Sequence, residues 1–102
     1  MQIPEIIEFM SQTWTIRDAQ NKELENCLGL CDPATNTILL DPNLVDSVLL
    51  QTLTHELVHL IEMTLHQCLT EQQVDVIATG IVHLLKNNPD LLNLYAEETN
   101  NA

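Results

Sequence analysis

The spacing of apolar and polar positions changes character near the middle of the chain. Before Leu40 the apolar residues come in short groups broken by turn chemistry; after Leu44 they recur every three or four residues. At the start, Ile3, Ile6, Ile7 and Met10 fall at helical spacing with Pro4 in a first turn, which predicts a short N-terminal helix over 3–10. Residues 13–19 alternate around Trp14 and Ile16 and predict a strand. Residues 28–31 predict a second short strand and 37–40 a third, with the Asp32-Pro-Ala-Thr-Asn36 turn between them. Asp41-Pro-Asn43 then stops the third strand.

The second half reads as helices. From 44 to about 65, Leu49, Leu50, Leu53, Leu57, Leu60, Ile61 and Leu65 line one broad side. Asn43 or Asp46 is placed to cap that helix. A link over 66–69 leads to Thr70-Glu-Gln-Gln73, which has the form of a capping box. Val74, Ile77, Ala78, Ile81, Val82 and Leu85 share one face of the helix that follows, and Asn87-Asn-Pro89 ends it. A last short helix over 90–98 is expected to be anchored by Leu91, Leu92 and Leu94, with a disordered polar tail over 99–102. A helix, three short strands and then a run of helices predict an α+β fold in one domain spanning 1–102.

Composition narrows the function classes. Only Phe9, Trp14 and Tyr95 are aromatic, so Leu, Ile and Val must fill the core. Arg17, Lys22 and Lys86 stand against fifteen Asp and Glu, a net charge of −12. That balance disfavours binding to nucleic acid or to an anionic membrane surface, neither of which the chain can neutralise. Its first consequence is solubility; its second is attraction for basic substrates or partners. No apolar run approaches the roughly 20 residues of a spanning helix. The acidic start, MQIPEIIEFM, lacks the basic flank of a secretory signal, so a cytoplasmic location is expected. Three cysteines, Cys27, Cys31 and Cys68, make no disulfide framework. Cys27 and Cys31 have no second pair with which to close a structural zinc site, and are read as small core residues.

One pentapeptide carries chemistry. His55-Glu-Leu-Val-His59 lies inside the most strongly periodic helix. A separation of four residues turns two side chains by roughly 40°, so both imidazoles can reach one ion. Glu56 falls beside them, where a carboxylate can take a proton from a zinc-bound water without ligating the metal. Histidines beside core leucines also occur as plain packing; the helical context and the apolar Leu57, Val58, Leu60 and Ile61 favour the metal.

A hydrolytic zinc site takes a third protein ligand and leaves a position for water. Glu71 projects into the stripe of Val74, Ala78 and Leu85, a costly place for a carboxylate unless a metal compensates it. Its plainer role is a first-turn acid favourable to the helix dipole. Asp75, one turn on, is an alternative ligand, or a group that holds a ligand histidine by its free nitrogen. His66 near a helix end and His83 off the Glu71 stripe are weaker candidates. Tyr95 is either an oxyanion donor or, more simply, an amphipathic anchor.

The stretch LDPNLVDSVLLQTLTHELVHLIEMTLHQCLTEQQVDVIATGIVHLLKNNP, residues 40–89, resembles small zinc metallopeptidases encoded by phages and bacteria. The shared features are T-x-x-HEL-x-H, then E-x-Q-V, then a glycine and an Asn-Pro; TWTIRD and CLGLCDPATNTILLD resemble the family's small sheet. That family is similar in turn to the minigluzincins. The resemblance implies zinc as cofactor, His55 and His59 as ligands and Glu56 as general base. It implies Glu71 as third ligand, with Asp75 behind it in a Glu-x-x-small-acid pattern. Two departures leave Asp75 open as the ligand: Val74 replaces the small residue, and the gap from His59 to Glu71 is short. The implied activity is hydrolysis of a peptide or protein substrate by a Glu56-activated, zinc-bound water. Such reduced peptidases can be latent, with a terminal segment filling the cleft; here that would be the chain after Pro89. Residues 37–40 are expected to form the edge strand that lines up an extended substrate. The alternative function is a non-catalytic module, stapled by zinc, whose acidic surface binds a partner.

Overall fold

A computed structural model describes residues 1–101, with side chains through Glu98. Its elements are β1 (Ile6–Phe9), β2 (Gln12–Asp18), β3 (Gly29–Asp32), β4 (Thr37–Leu40), α1 (Asp46–Thr64), α2 (Glu71–Asn87) and α3 (Pro89–Asn101). The class is α+β, with a four-stranded mixed sheet and three helices. The expected disordered tail falls on side chains from Thr99 onward and on Ala102, which lie outside the described residues.

The N-terminal helix expected over 3–10 is instead strand β1. Five large apolar residues in eight satisfy both a helical and an extended period, and only pairing decides between them. Ile7 and Phe9 turn toward the core while Ile6 and Glu8 face out, the alternation of a strand, and Ile7 pairs with Trp14 of β2. A two-residue turn, Met10-Ser11, joins β1 to β2 with both residues left-handed at φ 48° and 68°. That backbone suits Asn-Gly far better than Met-Ser. Exchanging Met10 for Asn and Ser11 for Gly together should therefore stabilise the domain by about 1 kcal/mol. A thermal melt should move up by roughly 4–8 °C; an unchanged or lower midpoint would count against the turn as described.

The sheet order is β1-β2-β4-β3, with β2 and β4 parallel and both outer pairs antiparallel. The strand over 37–40 is therefore internal, and β1 and β3 are the edges. An insertion of this kind cannot be read from strand patterns, because β4 pairs with β2 across the whole β3 hairpin.

α1 lies between the sheet and α2. Trp14, Ile16, Ile38 and Leu40 of the sheet pack on Leu53 and Leu60 of α1, with Ile3, Ile7, Phe9, Cys31, Leu49 and Leu57 around them. On its other side, Val58 meets Val74 and Ala78 of α2, with Leu69 and Ile81 alongside. Because both sides of α1 are covered, it has two buried stripes rather than the single broad one expected. Ile61 and Leu65 are exposed, while Thr52, Thr54, Glu56 and Glu62 are buried. Thr54 offsets its burial by donating its hydroxyl to the Leu50 carbonyl at 2.8 Å.

The helix ends divide. Neither Asn43 nor Asp46 caps α1: the N-cap is Val45, without a side-chain bond, and Asp46 sits in the first turn. Asp41 instead takes the Asn43 N–H at 2.9 Å in a turn leading into the helix. The capping box on α2 forms as expected, Thr70 accepting from the Gln73 N–H at 3.1 Å and Gln73 from the Thr70 N–H at 2.9 Å. α3 packs against α2, but Leu92 and Leu94 are 52% and 60% exposed, so they are not core anchors; Leu91 is half-buried. Of the cysteines only Cys31 packs on the core; Cys27 and Cys68 are exposed, contrary to the core role expected of Cys27. Burial, reinforced by the nearby Glu56 carboxylate, pushes the Cys31 thiol up to about 12. Among the described residues no helix is long and apolar enough to cross a membrane.

Candidate metal centre

α1 and α2 run antiparallel, joined by the link that ends at the Thr70 cap, so the start of α2 returns beside the histidines of α1. His55 and His59 stand one turn apart with ring centroids 4.9 Å apart and planes at 67°. Their Nε2 atoms converge on one carboxylate. Glu71 Oε2 lies 3.2 Å from Nε2 of His55, and its Oε1 2.9 Å from Nε2 of His59. One ligand atom from each of His55, His59 and Glu71 falls within 4.8 Å of the other two, a set that could hold a metal ion.

The far sides of the two rings also face carboxylates. His59 Nδ1 is 2.7 Å from Oε1 of Glu62, and the other oxygen of Glu62 accepts the Leu69 N–H at 2.6 Å. Asp75 Oδ1 stands 3.7 Å from Nδ1 of His55, beyond hydrogen-bond range. The His59 contact, with the Leu69 N–H, holds the Glu62 carboxyl below the usual range.

This donor set fits a metal ion on chemical grounds. A ring whose Nδ1–H faces a carboxylate presents an Nε2 lone pair. At His59 that lone pair would meet a second carboxylate oxygen at 2.9 Å, a repulsive contact unless a proton or cation lies between them. Two imidazoles and a carboxylate are also a known three-ligand set for a site that keeps a fourth position open. The Glu71 side chain is 76% exposed, so the convergence point is reachable from solvent.

Glu56 is buried, 7% exposed, on the sheet side of the same turn. Burial raises its carboxyl above the ordinary value, opposed by His59 and then His55 and reinforced by Glu71. Its carboxylate makes no hydrogen bond among the described residues, yet no fully buried polar side-chain atom there lacks a partner, so its oxygens are not fully shut off from solvent.

The close approach of edge strand β3 to this turn depends on Gly29. A Cβ there would lie 2.8 Å from Thr52 Cγ2, 3.2 Å from Glu56 Cγ and 3.2 Å from the Leu39 carbonyl oxygen. Gly29→Ala should push β3 and α1 apart and cost about 1–3 kcal/mol, read as a lower urea midpoint. A midpoint equal to that of the unaltered protein would mean the approach is looser than described.

The sequence-predicted residues thus separate cleanly. His55, His59 and Glu71 come together, with Glu56 in the same turn of α1 as the histidines; Asp75 faces the outer nitrogen of His55 rather than the ligand atoms. His66 lies past the end of α1, left-handed at φ 57° and exposed, and His83 and Tyr95 are exposed on α2 and α3. Sequence reasoning missed Glu62 and Gly29. The three-residue spacing of His59 and Glu62 was the available signal for the first. No family model, curated protein or solved structure matches the chain.

Proposed function

We propose that the chain is a zinc-dependent peptidase of the reduced, minigluzincin-like kind, holding one zinc through His55, His59 and Glu71. The observation that carries the reading is the convergence of those three ligand atoms beside a buried, unbonded Glu56 carboxylate. Zinc bound there would supply Lewis acidity toward a water and a carbonyl oxygen. Glu56 takes a proton from the attacking water and passes it to the departing amide nitrogen as the C–N bond breaks.

β3 is the strand placed to align a substrate. Of the two sheet edges it is the one that Gly29 brings against Glu56, so an extended peptide added to it would run near the histidines. The exposed Glu71 and the three-ligand set favour an open site over a purely structural staple. Cleavage of a diverse peptide library by zinc-loaded protein, compared with Glu56→Gln, tests the reading. Zinc uptake without cleavage by any folded form would instead favour the non-catalytic module.

A further inference from the structure

Glu62 is the one buried carboxylate near the site with both oxygens committed to neighbours. Oε1 meets Nδ1 of His59 at 2.7 Å, and Oε2 accepts the Leu69 N–H at 2.6 Å. The first partner is a candidate ligand. The second lies two residues before another, because Leu69 leads through the Thr70 cap to Glu71, the first residue of α2. Asp75 gives His55 no comparable hold, its oxygen standing 3.7 Å from that ring.

A carboxylate can only accept, so with a metal ion between Nε2 and Glu71, Glu62 selects the form of His59 with the proton on Nδ1 and the lone pair on Nε2. From this geometry we infer that Glu62 is the positioning residue of the metal centre. It sets the ligating tautomer of His59 and pins the turn that delivers Glu71. The inference rests on the metal-site reading above.

Glu62→Gln separates this role from simple packing, since it keeps size and shape. If the amide oxygen keeps Leu69, the NH2 group donates to Nδ1 of His59 and drives the ring proton to Nε2, the wrong nitrogen. If the amide turns over, two donors meet at Leu69 and the turn loosens. Either way zinc affinity should fall about 10–100-fold, measured by competition with a chromophoric chelator. The metal-free variant should still melt in one cooperative transition, which separates lost zinc affinity from lost folding.

Nitrogen NMR on the zinc-loaded, unaltered protein supplies a readout that needs no variant. His59 should ligate through Nε2 with a proton on Nδ1, and the Leu69 amide should exchange slowly. Equal zinc affinity in Glu62→Gln, or ligation of His59 through Nδ1, would overturn the role given to Glu62. Unaltered protein that takes up no zinc at all would overturn the metal reading beneath it, a result distinct from either.

Discussion

Changing His55 and His59 together to alanine should leave a folded protein that retains no zinc, where the unaltered chain should hold about one equivalent. Both rings are near the surface, with side chains 20% and 18% exposed, and neither belongs to an apolar cluster. Their loss should therefore remove the metal without opening the core. Binding to the folded state alone stabilises it by about 2.7 kcal/mol when free zinc stands at roughly a hundred times Kd. For a domain of this size that raises the melting midpoint on the order of 10–20 °C, a shift the double variant should lack. Glu71→Ala should approach the same result, since the two Nε2 atoms meet only at its oxygens. Asp75→Ala should do less, within the roughly 10–100-fold lost when a partner of a ligand is removed. A larger loss from Asp75→Ala than from Glu71→Ala, measured by elemental analysis and chelator competition, would move the third ligand to Asp75. No metal in the unaltered protein after zinc is supplied would end the metal reading.

How much of this is legible in the sequence depends on how local each feature is. His55, Glu56 and His59 share one turn of one helix, and helical geometry alone brings them together. The sequence singles out Glu71 by its position, but for an incomplete reason. It does not point into a core face; it stands exposed at the turn end of the α1–α2 hairpin and reaches the histidines because the hairpin folds α2 back along α1. Glu62 escapes notice because a carboxylate on the histidine helix reads as a surface group until α1 proves to be covered on both sides. The sheet is the least legible part. Ile6–Phe9 is too short for its period to choose between helix and strand, and its pairing with Trp14 turns on a Met10-Ser11 sequence with no turn signature. The place of β4 between β2 and β3 follows from packing on α1, a long-range condition that no local pattern encodes. Strand patterns alone therefore mistake the inner strand β4 for an edge.

The catalytic prediction asks most of one side chain. Glu56→Gln should abolish peptide cleavage, by about 10²–10⁴-fold, while leaving zinc content and the melting curve nearly as before. Glutamine keeps the volume of a residue pressed against Gly29, so the packing between β3 and α1 survives, but the amide cannot accept the proton of the attacking water. Alanine would be a poorer test, because it would open a cavity at a contact that positions the edge strand. The chain after Pro89 enters the same experiment as a candidate plug. α3 begins after the C-terminal end of α2, roughly 24 Å along that helix from Glu71, and packs against α2. Its Leu92 instead borders an apolar groove lined by Asp46, Leu50, Thr54, Ile81 and Leu85, toward the start of α1. Truncation after Asn88 should therefore lower stability modestly by exposing that groove, without raising activity or altering zinc affinity. A rise in cleavage on truncation would show instead that the segment reaches the cleft and restrains it. Four proteins belong in one trial against a diverse peptide library: the full-length and truncated chains, each unaltered or carrying Glu56→Gln. Equal cleavage by the unaltered and Glu56→Gln forms would trace the activity to a contaminant. Cleavage confined to the forms that keep Glu56 would place the proton transfer on this carboxylate.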